Sequence, residues 1–160
     1  MELRDSGKQL NEAMISEFEK QFDFKLPQDY KAFMLKNNGG TPKKNWAFDF
    51  VDTASGKSDS SGINYFCILY DEETENNDDL RASYIALVLE EPAQSPPNLL
   101  PILDDPGGNI VFLSVAGKDY GKVYFGDHEL EDPETGYLVM SPIADSFSEF
   151  IDKCYEFVGE

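Results

Sequence analysis

Histidine is almost missing from this sequence: His128 is the single one among 160 residues. A zinc site needs three or four imidazole, thiolate or carboxylate ligands. One histidine between Asp127 and Glu129 does not complete one, because consecutive strand residues point to opposite faces. The pattern of alternating Asp and Asn closed by Gly that marks a calcium loop is also missing. Cysteine is nearly as scarce. Cys67 and Cys154 are the only two, each within an apolar segment and with no CxxC spacing. They read as buried free thiols in a reducing cytoplasm, with a Cys67–Cys154 bridge left open. Neither cysteine has a histidine in a recognised arrangement, and no G-x-S-x-G elbow occurs. The expectation is a protein without catalysis, metal or cofactor.

Long apolar runs are absent. Stretches such as "YIALVL" at 84–89 fall far short of a bilayer, and "MELRDSGKQLNEAM" lacks the apolar core of a signal peptide. Positive charge runs out early. Residues 1–44 hold eight Lys/Arg against seven Asp/Glu, whereas residues 45–160 hold five against twenty-four, which together give the net charge of -18. Such a field repels nucleic acid and anionic membrane and attracts basic partners.

What is present suits a single α+β domain. Hydrophobic residues make up 41% of the chain, with twelve Phe and eight Tyr, enough for a core built of large rings. "NEAMISEFEKQF" reads as a helix capped by Asn11, and "LPQDYKAFMLKNNGG" as a second, with Pro27 in its first turn and Gly39 or Gly40 as its left-handed stop. The two make a helical hairpin. "NWAFDFVD" alternates like a half-buried strand, "TASGKSDSSG" reads as a polar loop and "INYFCILY" as a second strand. The acidic run "DEETENNDD" reads as a solvated loop before a helix over "DDLRASYIALVLEE". Strands at "LLPIL", "IVFLSV", "KVYF" and "GYLVM" follow, then a closing helix over 146–157 with Ser146 and Glu149 at capping-box spacing. The order predicts an N-terminal hairpin and a C-terminal helix packed on a mostly antiparallel, bent sheet.

"DDPGGNIVFLSV" runs from a turn into a strand, not a helix, and its two carboxylates would repel phosphate. Asp105-Pro106-Gly107-Gly108 therefore reads as a β-turn, with positive φ expected at Gly107 or Gly108.

Several pieces in order carry a family resemblance: Leu26-Pro27, Tyr30, the Asn38-Gly39-Gly40 stop, the Gly108-Asn109 turn, Gly121-Lys122-Val123-Tyr124 and Ser146-Phe147. Together they resemble the SUKH superfamily, which takes in the fungal Smi/Knr-like regulators of cell-wall synthesis and many bacterial immunity proteins. The resemblance spans about Asn11 to Phe157, with no distinctive match between residues 51 and 98, and the whole chain, 1–160, is read as one such domain. It implies a binding module without catalysis. The bacterial members imply a cytoplasmic immunity protein, or antitoxin, that holds a cognate basic toxin domain, such as a nuclease, inactive. The fungal members imply the alternative, a regulatory scaffold that recruits signalling or wall-synthesis proteins. The short chain without disordered arms favours immunity.

The acidic surface supplies the candidate contacts. Asp71, Glu72, Glu73, Asp104, Asp105, Asp127 and Glu129 are the expected steering carboxylates, and Trp46 is the candidate aromatic anchor. The expected partner is a protein, with neither nucleic acid nor membrane involved, and the expected state is a monomer or weak homodimer.

Overall fold

The structure is a computed structural model and describes residues 1–158. The chain begins with β1 (Leu3–Arg4), then α1 (Glu12–Phe22) and α2 (Gln28–Lys36). Asn11 caps α1 as expected, its Oδ1 accepting from the Met14 N–H at 2.9 Å. The hairpin closes on side chains. Glu19 is buried at the end of α1, and its carboxylate accepts the Leu26 N–H at 2.7 Å. Lys31 pairs with Glu12 at 2.6 Å.

The helices face different neighbours. Phe18 meets Phe22 and Phe24 edge-on, these two stack on each other and each meets Tyr84 edge-on, whereas Tyr30 and Phe33 meet Phe147 with ring centroids 5.1 and 4.9 Å apart. The first partner lies in α3 (Leu80–Tyr84), which continues as a π turn over Ile85–Leu89. The second lies in α4 (Phe147–Lys153).

Among the described residues the strands form three antiparallel sheets. β2 (Thr41–Pro42) pairs with β1. β3 (Trp46–Val51) lies between β4 (Ser58–Gly62) and β10 (Tyr155–Glu156). The main sheet has the order β5-β6-β7-β8-β9, from β5 (Tyr65–Phe66), β6 (Leu99–Asp104), β7 (Ile110–Ser114), β8 (Val123–Glu131) and β9 (Leu138–Ala144). Both faces of β6 and β7 are covered, which explains their unbroken apolar runs. The small sheet joins the large one where the Thr53 N–H donates to Ser141 Oγ and Thr53 Oγ1 donates to the Met140 carbonyl. Phe48, Phe50, Phe125 and Phe150 fill the seam, with Phe50 stacked on Phe125 at 4.2 Å. The expected α+β single domain is therefore the observed one.

Long-range ties hold the two ends of the chain together. Asp29 accepts the Ser148 N–H at 2.9 Å, Tyr120 donates to the Lys25 carbonyl at 2.9 Å, and Tyr155 donates to Asp49 at 2.7 Å.

Four local expectations need correction. The polar stretch 53–62 is not all loop, since its second half is the edge strand β4. "INYFCILY" is buried but keeps only Tyr65 and Phe66 in strand form. The α2 helix stops at an extended Asn37, with the left-handed Gly39 (φ 63°) two residues further on. Of the two glycines in the 105–108 turn, Gly108 takes the expected positive φ (87°). The closing helix stops at Lys153, after which Tyr155 and Glu156 pair with β3 and Phe157 is exposed. Among the described residues no helix is long and apolar enough to cross a membrane.

Candidate partner-binding groove

Register brings one carboxylate into a groove and turns its neighbour away. Asp104 ends β6 directly opposite Tyr65 on β5 and Ile110 on β7, so these three side chains share a face of the sheet. Tyr65 donates its hydroxyl to Asp104 Oδ2 at 2.7 Å. The groove above them has a volume of 450 Å³ and is walled by Glu75, Asn76 and Asn77 of the acidic loop on one bank. His128 of β8 stands on the other bank, and Ala82, Ala86 and Leu87 supply apolar surface. No lysine or arginine lines it. Burial, reinforced by the neighbouring charge of Asp105, holds the Asp104 carboxyl above its usual range against the opposing pull of the Tyr65 hydrogen bond. Burial, with Asp104 adding to it, likewise pushes up the Tyr65 phenol.

Asp105 faces the other way, as the next residue of a strand must. It is 4% exposed, and its two oxygens accept from the Gly107 and Asn109 N–H groups, the Asn109 amide and the Ser61 hydroxyl at 2.6–2.9 Å. This corrects its place among the surface carboxylates: it organises the turn from beneath. Asn109 continues the network, its Oδ1 meeting the His128 N–H at 3.0 Å and His128 Nδ1 at 2.6 Å.

The other candidates separate into three regions. Asp71, Glu72 and Glu73 are exposed on the loop that leads into the groove's bank, with Asp71 3.3 Å from Lys8. Asp79, at the loop's end, is not solvated; it is buried and caps α3 by accepting the Ala82 N–H at 3.0 Å. Asp127 and Glu129 flank His128; Asp127 accepts the Glu129 N–H at 2.9 Å, and the Glu129 side chain is 80% exposed. Trp46 lies elsewhere. It is half-buried in a separate 280 Å³ hollow with Met1, Glu2, Lys43, Lys44 and Glu156. The two lysines there are paired, Lys43 with Glu2 and Lys44 with Glu156, so the basic spot beside Trp46 is internally compensated.

Sequence reasoning missed Tyr65, Glu75, Gln94 and the groove role of His128. Tyr65 gave no signal, since nothing in "INYFCILY" shows which residue stands opposite Asp104. Among the described residues no group of three or more His, Cys, Asp or Glu is placed to hold a metal ion. Cys67 and Cys154 are free and buried; burial raises both thiols, Cys154 to about 12.

Comparison with known families bears on this arrangement. The model of the SMI1 / KNR4 family (SUKH-1) matches residues 9–153. The chain belongs to this family. Every residue that lines the groove falls inside the span shared with the SMI1 / KNR4 family. A curated relative, "SPbeta prophage-derived uncharacterized protein YokK" of Bacillus subtilis (strain 168), is 27% identical, with 86% of this chain and 70% of the relative covered. No solved structure matches.

Proposed function

We propose that this SUKH-1 protein is a non-catalytic immunity protein that acts in the cytoplasm by binding and blocking a basic toxin domain of nuclease type. The observation that carries the reading is the groove bordered by carboxylates and free of lysine and arginine, on a chain whose residues 45–160 hold twenty-four acidic side chains against five basic ones. A nuclease cleft is built to hold phosphates, so its positive face complements such a surface. Family membership and the prophage origin in the relative's name support the same reading. Two buried free thiols suit a reducing compartment.

The test is co-expression with the candidate toxin. Neutralising Glu72, Glu73 and Glu129 to their amides removes exposed charge without touching packed side chains. Steering theory expects association to slow roughly tenfold at low salt with dissociation little changed. Cells that survive with the wild-type protein should sicken with the variant. Unchanged association and unchanged protection would place the binding face elsewhere. Capture of a kinase or wall-synthesis enzyme instead of a toxin would favour the scaffold.

A further inference from the structure

The groove's chemistry selects among cationic groups. Asp104 Oδ1 has no hydrogen-bond partner among the described residues, and none of their ion pairs includes Asp104 or Glu75. A half-buried carboxylate with no cation beside it sits at the floor of a cleft that joins polar banks to the apolar surface of Ala82, Ala86 and Leu87. We propose that the groove receives an arginine side chain presented by a basic protein partner, with its guanidinium engaging the Asp104 carboxylate. This deepens the reading of the protein as a toxin binder and rests on it.

Arginine fits better than lysine for three reasons. Its planar fork can meet a carboxylate at two points, and it is more weakly hydrated, so entry into a partly dry cleft costs less. The remaining N–H groups find acceptors in Glu75 and in the side-chain carbonyls of Asn76, Asn77 and Gln94, all of which line the groove. The methylene stem meets Ala82, Ala86, Leu87 and the Tyr65 ring. At 450 Å³ the groove is within the usual size of small-ligand sites and wider than one side chain, so residues flanking the arginine enter with it.

The experiment uses the full chain and a defined probe, N-acetyl-arginine amide, followed by amide chemical shifts. N-acetyl-lysine amide and the uncharged N-acetyl-citrulline amide are the comparison arms. The arginine probe should give saturable shifts at Tyr65, Asn77, Ala86 and Gly108, with a dissociation constant on the order of millimolar for so small a contact. Lysine should bind at least about threefold more weakly, and citrulline should give no saturable shift. Asp104→Asn should weaken the arginine probe at least about tenfold, whereas Glu134→Gln, which removes an exposed charge outside the groove, should hold it within about twofold.

Ala86→Trp covers the exposed rim without touching Asp104 and should abolish the shifts, which keeps the test decisive should Asp104→Asn fail to fold. Equal binding of lysine and arginine, shifts scattered over the whole acidic surface, no binding of the arginine probe, or indifference to Asp104→Asn and Ala86→Trp would each overturn the inference. A protein that blocks its toxin but ignores arginine in the groove loses this inference and keeps the proposed function. Arginine bound in the groove of a protein that protects no cell does the reverse.

Discussion

Replacing Asp105 by alanine separates a carboxylate that holds the fold from those exposed on the surface. The side chain is 4% exposed and accepts four hydrogen bonds, from the Gly107 and Asn109 N–H groups, the Asn109 amide and the Ser61 hydroxyl. Bonds to an ionised acceptor contribute about 1.5–3 kcal/mol each when measured singly, but four on one group do not add. Gly107 and Gly108 are exposed, so water can re-solvate part of the turn after truncation. These opposing effects place the cost of Asp105→Ala at about 3–4 kcal/mol, or a fall of roughly 10 °C in melting temperature for a chain of this size. Asp105→Asn keeps the shape and the two backbone bonds to Oδ1. It sets its new amide against the Asn109 amide, while the Ser61 hydroxyl can rotate to accept, so it should cost about 1–2 kcal/mol. Glu72→Gln, on the exposed loop, should cost close to nothing. Urea unfolding followed by the fluorescence of Trp46, the sole tryptophan, measures all three. The reasoning fails if alanine costs under about 1 kcal/mol. It also fails if Asp105→Ala leaves stability intact and slows association with a co-expressed toxin, the outcome expected of surface neutralisation.

Asn38 is 2% exposed; its amide donates to the Lys8 and Leu69 carbonyls, and its Oδ1 accepts the Leu69 N–H. Asn38→Ala should therefore cost about 3 kcal/mol in urea unfolding, and Asn38→Asp more, because it keeps only the acceptor and buries a charge; equal costs would refute this. Burial raises both thiols, Cys154 to about 12 and Cys67 well above the ordinary range, so a thiol-specific disulfide reagent at pH 8 should label neither in the native protein and both in denaturant. Labelling of either native thiol within minutes would count against that burial.

The helices were legible because their signals are local. A side-chain cap at Asn11, a Ser146 cap whose Oγ accepts the Glu149 N–H, and apolar residues at helical spacing need no knowledge of the remaining chain. The strands β6 and β7 were legible because doubly covered strands are apolar throughout. β4 was not, since "SDSSG" is an edge strand without an apolar face. Its register leaves the Ser60 N–H on the outer side, where the Asp59 carboxylate takes it at 2.8 Å. "INYFCILY" misled for the opposite reason. Its backbone is satisfied by single contacts instead of a ladder: Leu69 by the Asn38 side chain, Ile68 by the Asp78 carbonyl, and Phe66 by Gly40. Of the acidic candidates only Asp104 lines the groove, and a sequence does not tell which of two adjacent aspartates faces it. The pairing of Tyr65 with Asp104 decides that, and it joins residues 39 positions apart.

The clasp between the ends of the chain has a consequence in time. β3 gains its second neighbour only when Tyr155 and Glu156 arrive, and α4 docks partly through an aspartate 119 residues earlier. Contacts of such sequence separation require a large loop to close before any of them is rewarded, and chains dominated by them fold in milliseconds to seconds, not microseconds. During synthesis the rings of Phe48 and Phe50 emerge well before Phe150, against which Phe48 packs at 5.3 Å. A nascent chain thus carries uncovered aromatic surface for as long as translation of the second half takes. The carboxylate excess lies in residues 45–160, so repulsion between such half-made molecules grows only as the second part of the chain is added.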